Sequence, residues 1–244
     1  MPLFHAYYSP SALNPTDVNV PPMIADTANT VFHVYSPTNG KFADTKNGIW
    51  VNNASSPFSA ASGAAPPALG PFAAGMSYTS GSGVDAADVT GNFTCAVVLR
   101  WPCLPATGPS FVPVSDGFNG QPGWYVNLYG TITTASNGVI DVQINSSPIR
   151  YFPTNRTLDD VSLVMFGRSG TTAFIQSNND AYTSATCGTG AAPTRALTIG
   201  NYSAGGIPYT NRIYEVFFST DTPTSASFSN IYTQVKARLG SLIP

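Results

Sequence analysis

Charge is what this 244-residue chain has least of. Only 9% of its residues are Asp, Glu, Lys or Arg, against about 25% in an ordinary globular domain. Glutamate occurs once, at Glu215; histidine occurs twice, at His5 and His33; lysine occurs three times, at Lys41, Lys46 and Lys236. Nucleic-acid binding requires clustered Lys and Arg. With a net charge of −2 and no basic patch, that class of partner is excluded. No P-loop, dinucleotide fingerprint or nucleophile-elbow sequence is present, so the chemistry those motifs carry is not expected either.

Cysteine is scarce too, at Cys95, Cys103 and Cys187. An odd number allows at most one intrachain disulfide, and Cys95 with Cys103 is the nearer pair. Three buried free thiols is the preferred reading, because the small apolar side chain packs readily in cores. The absence of any CxxC argues against structural zinc. No apolar run reaches the ~18 residues a membrane-spanning helix needs, so no membrane insertion is expected. The first residues, Met1-Pro2-Leu3-Phe4-His5-Ala6-Tyr7-Tyr8, lack the basic and apolar regions of a signal peptide. The expectation is a chain retained where it is made, exported by an unusual route or released by lysis; a mature chain stripped of its signal would read the same way.

What is present is apolar and small. Hydrophobic residues make up 43% of the chain, enough for a packed core, and the polar surface falls to Ser, Thr, Asn, Gly and Pro. So few charges leave little self-repulsion. The surface is therefore either covered in an assembly or the neutral exterior of a secreted protein.

Residues 1–30 carry Pro2, Pro10, Pro15, Pro21 and Pro22 and read as an extended N-terminal arm. Strand patterns begin at Val31-Phe32-His33-Val34-Tyr35 and Gly48-Ile49-Trp50-Val51. Residues 54–83, rich in Ala, Gly and Pro, read as a long excursion within one sandwich. From Asn92 on, Phe93, Cys95, Val97 and Leu99 alternate with Thr94, Ala96, Val98 and Arg100, which is period-two burial. Residues 131–144 read as a hairpin turning at Asn137-Gly138, and residues 161–176 as another turning at Gly167-Arg168-Ser169-Gly170. Phe228, Ile231, Tyr232, Val235 and Leu239 follow helical spacing over about 225–239, with Thr224 or Ser225 as cap and Gly240 as stop. The expected fold is all-β: a two-sheet antiparallel jelly-roll sandwich over residues 31–244, an extended arm and one short C-terminal helix.

The closing segment, Leu197-Thr198-Ile199-Gly200 followed by Tyr209, Arg212-Ile213-Tyr214-Glu215-Val216 and the helix, resembles the end of concanavalin-A-like jelly rolls of the laminin-G and pentraxin type. Asn92-Phe93-Thr94 and Gly123-Trp124-Tyr125-Val126 fit that family's earlier strands. Hydrolases of the family use two glutamates flanking an aspartate, a pattern that one glutamate cannot supply, so the expectation is a protein that is not an enzyme. Glu215 lies in an apolar strand, where a charge needs a partner; Arg212, Arg100 and Arg195 are the candidates for a pair pinning two strands. His33 reads as a strand or surface histidine.

The resemblance implies calcium as a possible cofactor, with Asn178, Asn179 and Asp180 as loop oxygens, or Asp85 with Asp88; these are also ordinary turn residues. Glycan binding would use exposed aromatics: Trp124, Tyr202 and Tyr209, with Trp101 a further candidate, each equally able to pack internally. The leading functional expectation is a structural or adhesive protein of a large particle, a phage or virus virion, located there and partnered by copies of itself, other virion proteins or cell-surface glycans. The alternative is an extracellular carbohydrate-binding module.

Overall fold

Runs of β-branched and aromatic residues punctuated by Gly and Asn fold as strands, and in the computed structural model they assemble into two antiparallel sheets. The structure describes residues 21–38, 41–46, 49–50, 58–61, 65–72, 78–79, 90–101, 111–116, 123–133, 136–145, 147–151, 160–188, 197–200, 209 and 211–244. In chain order the strands are β1 (Thr30–Thr38), β2 (Lys41–Asp44), β3 (Ile49–Trp50), β4 (Phe58–Ser59), β5 (Ala68–Leu69), β6 (Tyr78–Thr79), β7 (Phe93–Arg100) and β8 (Phe111–Asp116). Then come β9 (Trp124–Thr133), β10 (Ser136–Ile144), β11 (Ser147–Tyr151), β12 (Val161–Ser169), β13 (Thr172–Ser177), β14 (Thr183–Thr186), β15 (Thr198–Ile199) and β16 (Ile213–Ser219). The chain ends in helix α1 (Ser225–Leu239) and a short 3-10 turn, Gly240–Leu242.

The larger sheet runs β14-β13-β12-β7-β16-β1-β2-β3, with β5 added to β16 and β4 to β5; the smaller runs β11-β10-β9-β8-β15-β6. The Ala/Gly/Pro-rich stretch of residues 54–83 thus contributes β4, β5 and β6 rather than only a loop. Strand alternation sets the main core. Phe32, Val34, Cys95, Val97, Leu99, Val164, Phe166, Val216 and Phe218 from the large sheet meet Trp124, Val126, Leu128, Ile140, Val142 and Ile144 from the small one. Packed rings bind its centre: Phe32 and Phe93 stack on Phe218 at 5.3 and 5.1 Å, and Trp124 tilts against Phe166 at 5.2 Å. Such pairs add to the burial of the rings themselves.

The other residues of the central strands are buried as well. Ala96, Val98, Leu163, Met165, Tyr214 and Phe217 form a second core on the outer face of the large sheet, with Phe228, Ile231, Val235 and Leu239 of α1 laid over it. This is why β7 is buried at seven consecutive positions: a strand covered on both faces reads as continuously apolar. The helix begins at a capping box in which Thr224 and Ser227 exchange side-chain and backbone hydrogen bonds, and it ends at Gly240, with φ 57°. Both ends match the local signals in the sequence.

Two turns differ from expectation. Asn137-Gly138 lies inside β10, and Ser136 is already paired to Thr133, so this dipeptide is strand instead of the hairpin turn; the ladder shifts between Asn137 and Val139, with the extra residue on β9. The second hairpin turns at Gly170-Thr171, with Ser169 paired to Thr172; Gly167 is a strand residue. Its lack of a side chain serves packing, because a methyl there would run into the carbonyl oxygen of Phe93 and the ring of Pro223. Cys95 and Cys187 are both buried; Cys103 lies outside the described residues. Among the described residues, no helix is long and apolar enough to cross a membrane.

Gly167→Ala should therefore lower stability by about 1–3 kcal/mol, the usual effect of overpacking. Gly91→Ala, which meets nothing within 4 Å, should change it by less than about 0.5 kcal/mol. Urea unfolding of the two variants separates the cases.

Candidate functional site

The chain's single glutamate and the histidine of its first described strand meet. In β1, Phe32 and Val34 face the sandwich core, so the alternation of the strand turns His33 to the outer face of the large sheet. In β16 the register with β7 shifts between Ile213 and Glu215, and this bulge brings Tyr214 and Glu215 out on that same face. His33 sits opposite Phe217, with the rings edge-on at 5.3 Å.

The side chains then close a fully occupied cluster. His33 Nε2–H donates to Glu215 Oε1 at 2.8 Å and Nδ1–H donates to Asp26 Oδ1 at 2.8 Å. Glu215 accepts two more hydrogen bonds, from the backbone N–H of Met23 to Oε2 and of Ile24 to Oε1, both at 2.8 Å. His33 is 0% and Glu215 1% exposed. Burial alone would pull the imidazole down, but hydrogen bonds to Asp26 and Glu215, with their charge, outweigh it and push His33 up to about 9. For Asp26, burial pulls upward, and the hydrogen bond and charge of His33 with the nearby Lys46 charge override it, leaving the carboxyl below its ordinary value. His33 is thus an imidazolium held between two carboxylates.

Residues 21–29 are drawn over the sheet by these contacts. Met23 and Ile24 are buried in the second core. The N–H of Ala25 donates to Gln234 of α1, and Thr27 and Asn29 both bond the carboxylate of Asp221, at 2.6 Å each. This part of the expected arm lies on the protein's own surface.

The partner of Glu215 is therefore a histidine 182 positions away in sequence, not one of the arginines expected from strand proximity. Sequence reasoning also missed Asp26. The available signal was parity: His33 alternates with Phe32 and Val34, and a strand histidine on the opposite face from its apolar neighbours must meet an acceptor when covered. Chemically, the cluster is a pin. Both ring nitrogens of His33 already donate to carboxylates, which leaves neither free to take a proton from a substrate.

The residues proposed for ligands sit elsewhere. Trp124 is fully buried between the sheets, because the alternation that turns Val126 and Leu128 inward turns Trp124 inward too; its ring face is not available to a glycan. Trp101 is buried as well. Tyr209 is buried, and its hydroxyl donates to the carbonyl of Arg100, so it ties the end of β7 to the segment before β16. Tyr202 lies outside the described residues, as do Asp85 and Asp88. Asn178 exchanges hydrogen bonds with Leu163, its N–H donating to the Leu163 carbonyl and its Oδ1 accepting from the Leu163 N–H. It extends the β12–β13 ladder by one position, which engages the oxygen proposed for calcium. Asn179 is exposed and Asp180 half-buried. Among the described residues, no group of three or more His, Cys, Asp or Glu is arranged to hold a metal.

No protein-family model and no characterised relative matches the sequence. Solved structures do match in fold. A Trypanosoma rangeli sialidase in complex with sialic acid superimposes with a TM-score of 0.58 at 14% identity, over 85% of this chain and 33% of that one. The binding domain of botulinum neurotoxin DC, in complex with SialylT, gives 0.54 at 11% identity, over 85% of this chain and 52% of that one. The binding domain of botulinum neurotoxin serotype G gives 0.54 at 10%, over 84% and 51%. The fold shared with these structures is a two-sheet antiparallel β-sandwich. The chain spans about a third of the sialidase and half of the toxin domains.

The cluster sets a pH dependence. His33 titrates near 9 in the folded protein and near 6.5 unfolded, so its contribution is complete below pH 6.5 and disappears as pH rises through 9. Stability should fall by about 3 kcal/mol over that window, and Glu215→Ala should cost about 3–5 kcal/mol at neutral pH by leaving a buried imidazolium half-paired. Urea unfolding between pH 6 and 10 checks both; a flat profile for the unmodified protein would contradict the assignment.

Proposed function

We propose that the chain is a non-enzymatic adhesive module that binds glycans through its lectin-like sandwich. We place it in a large particle such as a phage or virus virion, as a decoration, capsid-associated or tail-fibre protein. The observation that carries the adhesive reading is the shared fold with toxin binding domains, one of them solved with SialylT; cell entry of botulinum neurotoxin type C, which shares the fold as well, depends on two ganglioside molecules. The closing strand order and terminal helix support the laminin-G and pentraxin branch of such sandwiches.

Absence of catalysis is supported by how the carboxylates are used. Glycoside hydrolysis canonically takes two carboxyl groups flanking the scissile bond, whereas Glu215 is buried and bound by two backbone amides and an imidazolium. The particle setting is favoured by the 9% charged fraction, since a surface with little self-repulsion suits dense packing among copies of itself. An extracellular carbohydrate-binding module shares the adhesive function and differs in assembly.

A glycan array including sialylated oligosaccharides and gangliosides, run with and without calcium, should show binding to at least one sialylated species. Light scattering should show an oligomer, and a fluorogenic sialoside should release no dye above buffer. Dye release would overturn the non-enzymatic reading. A monomer that binds no glycan in either condition would overturn both the adhesive and the particle readings, and a monomer that binds glycan would favour the extracellular module.

A further inference from the structure

We infer that residues 21–29 form a proton-locked latch on the outer face of the large sheet, closed while both ring nitrogens of His33 carry hydrogen and released when one is lost. The case rests on donor and acceptor roles. Ionised carboxylates only accept hydrogen bonds, and His33 has one at 2.8 Å from each ring nitrogen. A neutral imidazole keeps one N–H and one lone pair, so one of these contacts would become lone pair against carboxylate in a site with no exposure.

The latch is the side that yields. β1 and β16 are held by their ladder and by the main core, and neither depends on residues 21–29. The segment itself is held by Glu215, through the N–H groups of Met23 and Ile24, and by Asp26 on the ring. Its remaining ties are the burial of the Met23 and Ile24 side chains in the second core, hydrogen bonds from Ala25 to Gln234 and from Thr27 and Asn29 to Asp221, and one from the Thr220 N–H to the Asn29 carbonyl. Once His33 is neutral, Glu215 keeps only the two amides of Met23 and Ile24 against the burial of its charge. Opening the segment lets water reach that carboxylate.

Other groups around the ring do not replace the proton. Asp44 of β2 accepts from the backbone N–H of His33, at 3.0 Å. Lys46, just after β2, acts on Asp26 through its charge. The Tyr35 phenol ring tilts against the imidazole at 5.0 Å, and Phe217 covers it edge-on. From α1 the segment meets the neutral Gln234, while Lys236 donates to the carbonyl of Ile243. The direction follows: the latch is closed in neutral solution and opens as pH climbs past about 9. Asp26 stays ionised into mild acid, so that side holds.

Hydrogen exchange on the full chain, expressed as protection factors to remove the intrinsic pH dependence, tests this. From about pH 7 to about pH 10.5, protection at Met23 and Ile24 should drop by at least about tenfold while β7 amides remain protected, the signature of local opening. Asp26→Asn, at a side chain 45% exposed, should leave the fold intact and move the opening to lower pH, because the imidazolium loses one anionic partner. Constant protection across the range, complete loss of protection in β7 at the same pH, or an unmoved midpoint in Asp26→Asn would each overturn the latch.

Discussion

The outer face of the large sheet is organised by one buried ion pair, His33 with Glu215. Removing two charges from water costs several kcal/mol per ion, and mutual attraction offsets this only when the remaining hydrogen-bonding capacity is filled. Here it is filled: both oxygens of Glu215 and both nitrogens of His33 have partners at 2.8 Å. What the pair fixes is position. A register slip of one residue between β1 and β16 would turn His33 toward the sandwich core, where no carboxylate waits, so the pair penalises the alternative pairings that apolar contacts alone would tolerate.

That position matters because the large sheet must be covered on both sides. Its inner face packs on the smaller sheet, and its outer face, carrying Ala96, Val98, Leu163 and Met165, would otherwise present a continuous apolar surface to water. Helix α1 covers part of this face, with Phe228, Ile231, Val235 and Leu239, and Met23 and Ile24 cover a further part. The segment before β1 is therefore part of the second core. The smaller sheet keeps an outer face of different character, with Pro148 and Arg150 exposed and Tyr125, Asn127 and Gln143 half-buried.

How much of this was legible depends on the range of the interaction. The helix was readable to its ends, because Thr224, the apolar spacing from Phe228 to Leu239 and Gly240 all act within a few residues of one another. The strand character of β7, β12 and β16 was readable from composition, and the sandwich from their number. The burial of Trp124 was readable but overlooked: Val126 and Leu128 share its parity, and parity outranks the general tendency of tryptophan to appear in glycan sites. The meeting of His33 with Glu215 was not readable by local rules, since it joins strands 182 positions apart and needs the pairing of β1 with β16 to be known first. Asn137-Gly138 misled for a related reason, because a dipeptide suited to a tight turn lies here within a strand, opposite an extra residue of β9 that only the pairing reveals.

The use of the few charges bears on how the protein meets its surroundings. Glu215 and Asp26 hold His33, Asp44 accepts from the His33 and Lys46 backbone amides, and Asp221 receives Thr27 and Asn29. These carboxylates serve to seat the N-terminal segment and the neighbouring strands. In a chain only 9% charged, two of these carboxylates, Glu215 and Asp44, are buried and add nothing to the charge of the exterior. Neutral, Ser- and Thr-rich surfaces repel one another weakly, so copies of such a sandwich can approach closely without counter-charges designed into the contact.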